Sequence, residues 1–368
     1  MSVRSVGLYV HIPFCNSKCN YCDFYSFAAS DELKTACVDR ECAEIIQTAE
    51  SGGLCFDTVY IGGGTPTVLG AGELERLLHT VGRFTLPDAE VTCEANPSSA
   101  IEDTLRILRQ GGVNRISFGL QSASDAELKM LGRRHSRDDF EQAVSAARRV
   151  GFDNISADVM LGIPGQTLSS LADTLDFVTS VQPEHISAYM LKIEKDTPFG
   201  KNPPQLPDED ETSEIYLYTC ERLAQAGLLQ YEISNFARHG YESRHNLRYW
   251  RCEEYLGVGP AAHSFLGGKR FYRERDLGGY LSGGPAVEDG EGGSLQERAM
   301  LLLRLTEGAP LELILAAAGE NGVGEDAVIK TVRLLNRQGL ATDEGGRVSL
   351  TPQGFLVSNA VTARLLFG

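Results

Sequence analysis

Apolar positions follow two rhythms that alternate along the first two-thirds of this chain. Short runs rich in β-branched and aromatic residues lie at 6–13, 58–62, 91–95, 115–119, 155–161 and 185–191. Each is followed by Gly or Pro and reads as a buried strand. Between them, apolar residues three to four apart predict helices at 33–49, 73–81, 101–108, 138–150, 168–181 and 211–226. Ser30 before Asp31 and Glu32 reads as a helix start, and Gly151 as a helix stop. Six successive strand–helix units predict parallel strands with right-handed crossovers. The expected fold class is therefore α/β, a curved partial (β/α)6 TIM-like barrel.

The rhythm changes after residue 230. Residues 198–210 are rich in Pro, Asp and Asn and predict a connecting loop, and the Gly-rich stretch 278–293 marks a boundary. Beyond it, helices are expected at 296–305, 311–317 and 326–338. A hairpin follows over 339–351, turning at Gly345 and Gly346, and then a last helix. This order is winged-helix-like, a small α+β domain. The expected division is 1–230 for the barrel, 231–293 for a connecting segment and 294–368 for the winged-helix-like domain.

Composition narrows the function classes. The chain has 368 residues, 42% apolar, and a formal net charge of −16. Nucleic-acid binding needs a basic face, and this balance argues against it. Residues 294–368 carry eight acidic and seven basic side chains, which favours packing or partner docking over DNA for the winged-helix-like part. No apolar run approaches a membrane span, and no secretory signal pattern opens the chain. Nine cysteines form no even framework, so a reducing, cytoplasmic setting is expected.

Three of those cysteines carry chemistry. Cys15, Cys19 and Cys22 form a CxxxCxxC run just after the first expected strand. Three thiolates on one short loop can ligate three irons of a [4Fe–4S] cluster, leaving the fourth iron open. The run alone leaves zinc as a rival, since His11 would complete a four-ligand set. Cys37, Cys42, Cys55, Cys93, Cys220 and Cys252 are scattered and receive no role.

In barrels of this kind, reactive groups gather at the C-terminal strand ends. The expected strand ends here carry Gly62-Gly63-Gly64-Thr65-Pro66, Glu94 with Asn96, Gln121 and, on the fifth strand, Asp158. The glycines admit a ligand close to the backbone. A carboxylate at Glu94 suits a ribose diol, and Gln121 and Asp158 can meet amino or hydroxyl donors. Arg133 can pair with a carboxylate, and its neighbour Arg134 is an alternative.

Tyr9-x-His-Ile-Pro-Phe-Cys15, Gly62-Gly-Gly-Thr-Pro66, Glu94-x-Asn-Pro97, Arg115-x-Ser-x-Gly-x-Gln-Ser122 and Tyr231-Glu-Ile-Ser-Asn-Phe-Ala237 together resemble the anaerobic coproporphyrinogen III oxidase family of radical S-adenosylmethionine (SAM) proteins. The resemblance implies a radical SAM barrel. It also implies a cluster whose open iron is chelated by SAM, and a SAM site lined by Tyr9, Gly63, Gly64, Thr65, Glu94, Gln121, Arg133 and Asp158. The oxidase branch carries a fourth cysteine two residues after the third, where this chain has Phe24, and a longer arm before the cluster than the fourteen residues here. The heme-chaperone branch carries HNxxYW, matched by His245-Asn246-Leu-Arg-Tyr249-Trp250.

That branch implies heme binding and delivery to a respiratory apoprotein. His245 is then a candidate iron ligand, with Tyr249 and Trp250 as flat surface for the porphyrin. Arg238, Arg244, Arg248, Arg251, Lys269, Arg270, Arg273 and Arg275 are candidates for the propionates. The same residues read equally as a hydrogen-bonded structural histidine and ordinary ion pairs. The expectation is a chaperone that binds a [4Fe–4S] cluster, SAM and heme, with no catalytic residue assigned. SAM-dependent oxidative decarboxylation of coproporphyrinogen III is the enzyme alternative, and a zinc-bound regulatory winged-helix protein is a third, disfavoured class.

Overall fold

The computed structural model describes residues 4–99 and 101–368. Its frame is six parallel strands: β1 (Arg4–Ile12), β2 (Leu54–Gly63), β3 (Thr85–Ala95), β4 (Arg115–Gln121), β5 (Ile155–Leu161) and β6 (His185–Met190). They pair in sequence order, as the alternating pattern predicts. Helices α1 (Asp31–Gly52), α2 (Ala71–Gly82), α3 (Glu102–Gln110), the short α4 (Asp125–Met130), α5 (Arg137–Arg149), α6 (Leu168–Ser180), the one-turn α7 (Pro198–Lys201) and α8 (Glu209–Gln225) lie between and after these strands.

Local chemistry sets the helix ends. Ser30 caps α1 by accepting the Leu33 N–H, and Gly53 ends it in the left-handed conformation at φ 58°. Ser136, Thr167 and Asp208 open α5, α6 and α8 with reciprocal capping boxes. Strand residues facing the helices are buried throughout, among them Val6, Leu8, Val10 and Ile12 of β1.

The sheet does not close, and it is wider than six strands. Residues 231–293 were expected to connect; they also extend the sheet at both edges. Strands β7 (Leu229–Gln230) and β8 (Asn235–Ala237) follow, with β8 antiparallel to β6. After α9 (Arg244–Trp250), β9 (Tyr255–Val258) joins β1 in parallel. Strands β10 (His263–Leu266) and β11 (Lys269–Tyr272), then α10 (Leu277–Leu281) and β12 (Val287–Glu291), carry the antiparallel edge outward. Each barrel edge is thus paired with a local strand, which satisfies its backbone groups without closure.

The C-terminal part follows the expected order: α11 (Leu295–Leu302), β13 (Ala309–Pro310), α12 (Leu311–Glu320), α13 (Glu325–Arg337), then the hairpin β14 (Ala341–Glu344) and β15 (Arg347–Leu350). The hairpin turns on Gly345 and Gly346, both at positive φ. β13 adds a third strand that the sequence did not signal, and the last helix is split into α14 (Pro352–Leu356) and α15 (Ser358–Leu366). No helix among the described residues is long and apolar enough to cross a membrane.

Candidate functional site

A cavity of about 660 Å³ opens at the C-terminal ends of the parallel strands. Its wall includes Cys15, Cys19, Cys22, Gly63, Gly64, Thr65, Glu94, Gln121, Arg133 and Asp158. Residues from four strands, the cysteine loop and the loop after α4 are therefore brought to one place. Tyr9 is the exception. It does not line this cavity but a second one, and its hydroxyl bonds the His11 ring at 2.9 Å. On β1, Tyr9 lies two residues before His11, and the two side chains share the face that lines the second cavity.

The cysteine loop leaves β1 and is held at both ends. Cys15 N–H donates to the Phe27 carbonyl at 3.0 Å and Phe27 N–H to Pro13 at 3.1 Å, closing the loop at its base. At the tip, Asn20 N–H donates to Leu131 O at 2.9 Å and the Asn20 carbonyl accepts from Phe199 N–H at 2.9 Å. The Cys15 thiol meets Thr65 Oγ1 at 3.3 Å, and Cys19 Sγ accepts from Arg133 Nη1 at 3.6 Å. Zinc through His11 does not fit. Both His11 ring nitrogens are engaged, with Tyr9 and with the Tyr25 carbonyl at 2.9 Å, and the ring lines the second cavity.

Three adjacent glycines bring β2 against this loop. A Cβ on Gly64 would lie 2.5 Å from the Phe14 carbonyl and 2.7 Å from that of Ile12. One on Gly63, at φ +98°, would strike the His11 ring, and one on Gly62 would meet the Glu94 carboxyl at 2.7 Å. Glycine is required here by close approach and not merely by a strand end.

Glu94 is fixed by Tyr60, which donates to Oε1 at 2.8 Å, and by Gly63 N–H, which donates to Oε2 at 3.0 Å. Burial, with Asp158 nearby, pushes its carboxyl up to about 7, against the opposing pull of Tyr60, Gly63 and Arg115. Asp158 accepts from Ser117 at 3.2 Å, and burial raises its carboxyl too. A bulge between Gly119 and Gln121 turns Gln121 into the cavity at φ 71°, an uncommon conformation for a side-chain residue.

Arg133 reaches inward and donates to the Gly119 carbonyl at 2.6 Å, while its buried Nε has no partner among the described residues. An unmet donor beside the thiols suits a ligand carboxylate. Arg134 is exposed on the same rim. Sequence reasoning missed Tyr60 and Ser117. Both stand on the inward face of their strands, two residues before Gly62 and Gly119, so period-two alternation could have found them.

The heme candidates do not assemble as expected. His245 is fully buried, with Nδ1 2.9 Å from Thr58 Oγ1 and Nε2 2.8 Å from the Tyr249 hydroxyl. Burial, with Arg248 and Arg115 adding to it, drives its pKa down to about 3. Both ring nitrogens are thus engaged, the arrangement of a hydrogen-bonded structural histidine. Trp250 packs under Arg304, 5.0 Å from the ring centroid, toward the C-terminal part. Of the basic group, Arg248, Arg251, Lys269, Arg270, Arg273 and Arg275 each pair with a carboxylate, and Arg244 donates to the Asp88 carbonyl at 2.7 Å. Of the motif, Tyr249 lines the second cavity.

The chain is similar to known proteins along its length. Residues 9–178 match the Radical SAM superfamily and residues 294–357 the HemN C-terminal domain. The chain is 35% identical to the heme chaperone HemW of Bacillus subtilis (strain 168) over a 375-residue alignment covering 97% of this chain and 98% of the relative. It is also 35% identical to the heme chaperone HemW of Escherichia coli (strain K12), covering 97% of each. Among solved structures, coproporphyrinogen III oxidase (HemN) from Escherichia coli superposes with a TM-score of 0.82 at 23% identity, over 99% of this chain and 90% of that one. A likeness at that identity is one of fold.

Proposed function

We propose a function from one premise: the chain belongs to the radical SAM superfamily and, within it, to the HemW family. The function is that of a heme chaperone, which holds one [4Fe–4S] cluster, SAM and heme and passes the heme to a respiratory apoprotein. In this reading Cys15, Cys19 and Cys22 would hold the cluster, leaving one iron without a protein ligand and open to SAM. Bound there, the cluster supplies the electron for reductive cleavage of SAM in this superfamily.

The chain's own residues do the holding. Gly63, Gly64 and Thr65 admit the amino-acid end, and Arg133 offers its unmet Nε–H to the carboxylate. Glu94 accepts from the ribose hydroxyls, held in place by Tyr60 and Gly63. Gln121 and Asp158 face the remaining polar groups. Burial of the cavity strengthens each of these contacts.

One observation favours chaperone over oxidase. Phe24 stands where the oxidase branch has its fourth cysteine, and the residue is 63% exposed. Next to it, Asp23 is tied to Arg275 at 2.9 Å. The alternative, oxidative decarboxylation of coproporphyrinogen III, draws on the shared fold and on the cavity that most of the expected SAM residues line. Anaerobic reconstitution followed by incubation with coproporphyrinogen III, SAM and a reductant separates the two. The chaperone reading expects heme binding and transfer without protoporphyrinogen, and formation of protoporphyrinogen overturns it.

A further inference from the structure

The second cavity, about 510 Å³, adjoins the first at Phe24, which lines both. It lies where α9, β9, β10 and β11 meet β1. Its walls are flat rings: Tyr249 and Tyr255 meet edge to face at 4.6 Å, and Tyr272 stacks with His263 at 5.2 Å and 25°. Two histidines line it, in different states. His11 has both nitrogens engaged. His263, which opens β10, is exposed, and among the described residues no group hydrogen-bonds its ring nitrogens. Arg275 stands at the wall with its side chain 59% exposed, paired with a surface carboxylate, Asp23, that another anion can replace.

We propose that heme is held in this second cavity, with His263 as its axial ligand. The rings of Tyr249, Tyr255 and Tyr272 cover the macrocycle, and Arg275 takes a propionate. This rests on the chaperone reading of the function. The recognition chemistry is that of a flat, apolar, dianionic metal macrocycle: aromatic faces for the plane, one neutral imidazole for the iron, a guanidinium for the carboxylate. The imidazole donates a lone pair to iron in place of a water, and no electron is transferred. His245 acts through Tyr249, whose hydroxyl it fixes from behind, so it is a positioning residue for this wall.

Heme titration of the reconstituted protein, followed in the Soret region, tests the assignment. His263→Ala is expected to shift the Soret band and weaken heme binding by roughly tenfold or more. Imidazole added to that variant should restore the band. Metal-free protoporphyrin, which needs no axial ligand, should bind the variant and the parent alike. Iron loading and SAM affinity should not change, because His263 does not line the first cavity. His245→Ala should lower heme affinity without changing the ligand signature. An unaltered Soret band and affinity in His263→Ala, with heme still bound by the parent, overturns the site and leaves the chaperone reading standing. Failure of the parent to bind heme at all overturns both.

Discussion

Glu94 concentrates the chemistry of the cavity proposed for SAM in one residue, and its titration gives a signed expectation. Its carboxyl sits near 7 in the fold against an ordinary 4.5. A raised carboxyl favours folding below the ordinary value, and that contribution is lost as pH rises from about 4.5 through 7. Ribose binding has the opposite sign, because the ionised carboxylate accepts from both hydroxyls while the acid does not. SAM affinity should therefore rise between about pH 6 and 8, and calorimetry across that range should show Glu94→Gln to be flat. Glu94→Ala should weaken SAM by about 1–3 kcal/mol at pH 8. A parent affinity independent of pH would mean the ribose is held elsewhere. Glu94 was legible because a carboxylate at a strand end stands out. Its supports were not: Tyr60 reads as one more aromatic in a buried strand, and Arg115 as an ordinary charge, though it is buried within the barrel and opposes the burial of both Glu94 and Asp158.

At the element scale, the join between β2 and the cysteine loop is made by backbone hydrogen bonds, with the Cys15 thiol and Thr65 Oγ1 meeting beside them at 3.3 Å. Gly64 N–H donates to Ile12 O at 2.8 Å and Thr65 N–H to Phe14 O at 2.7 Å. Gly64→Ala drives a methyl into those same carbonyls, so it should displace the loop and lower iron loading after reconstitution. Gly72, in α2, is the control: an added Cβ there meets nothing within 4 Å. Gly72→Ala should leave iron loading intact and raise stability by about 0.5–1 kcal/mol. Equal loading in both variants would mean the close approach is dispensable. The bulge on β4 carries a related trade. Gln121→Gly relieves a positive φ, so thermal unfolding should show a gain of about 1 kcal/mol while SAM binding weakens.

The same scale explains which elements could be read in advance. Strands β1 to β6 are buried on both faces and spell themselves in β-branched and aromatic residues. Strands β7 to β12 are two to five residues long, and β12 is mostly exposed, so no periodicity marks them. The HNxxYW motif is visible in the sequence, but its partners in space are not. His245 and Tyr249 are four apart on α9, so they share a face and bond each other at 2.8 Å, while Trp250 points elsewhere. His263, in an unremarked four-residue strand, had no motif to announce it.

At the scale of the whole molecule, the Tyr231-Glu-Ile-Ser-Asn-Phe-Ala237 block fastens the C-terminal part to the open edge of the barrel. Thr306 N–H donates to the Tyr231 carbonyl and Ile233 N–H to that of Arg304, both at 3.1 Å. Tyr231 also reaches inward, its hydroxyl 2.8 Å from His185 Nε2 in the barrel floor. Arg304 lies over Trp250, and Arg251 pairs with Glu307, so α9 is clamped between the two parts. Trp250 is the chain's single tryptophan, which makes this joint optically visible. Its emission should shift to the red in the step of urea unfolding that separates the C-terminal part from the barrel. Trp250→Ala removes the ring beneath Arg304 and should cost about 1–3 kcal/mol, less than a fully buried ring because the side chain is only half-buried. Hydrogen exchange should then quicken at Ile233 and Thr306, whose amides span the joint, and stay slow in β2 and β5. SAM affinity should hold, since Trp250 lines neither cavity. Unchanged exchange at both amides would show that the backbone bonds alone carry the docking and that the indole contributes only surface.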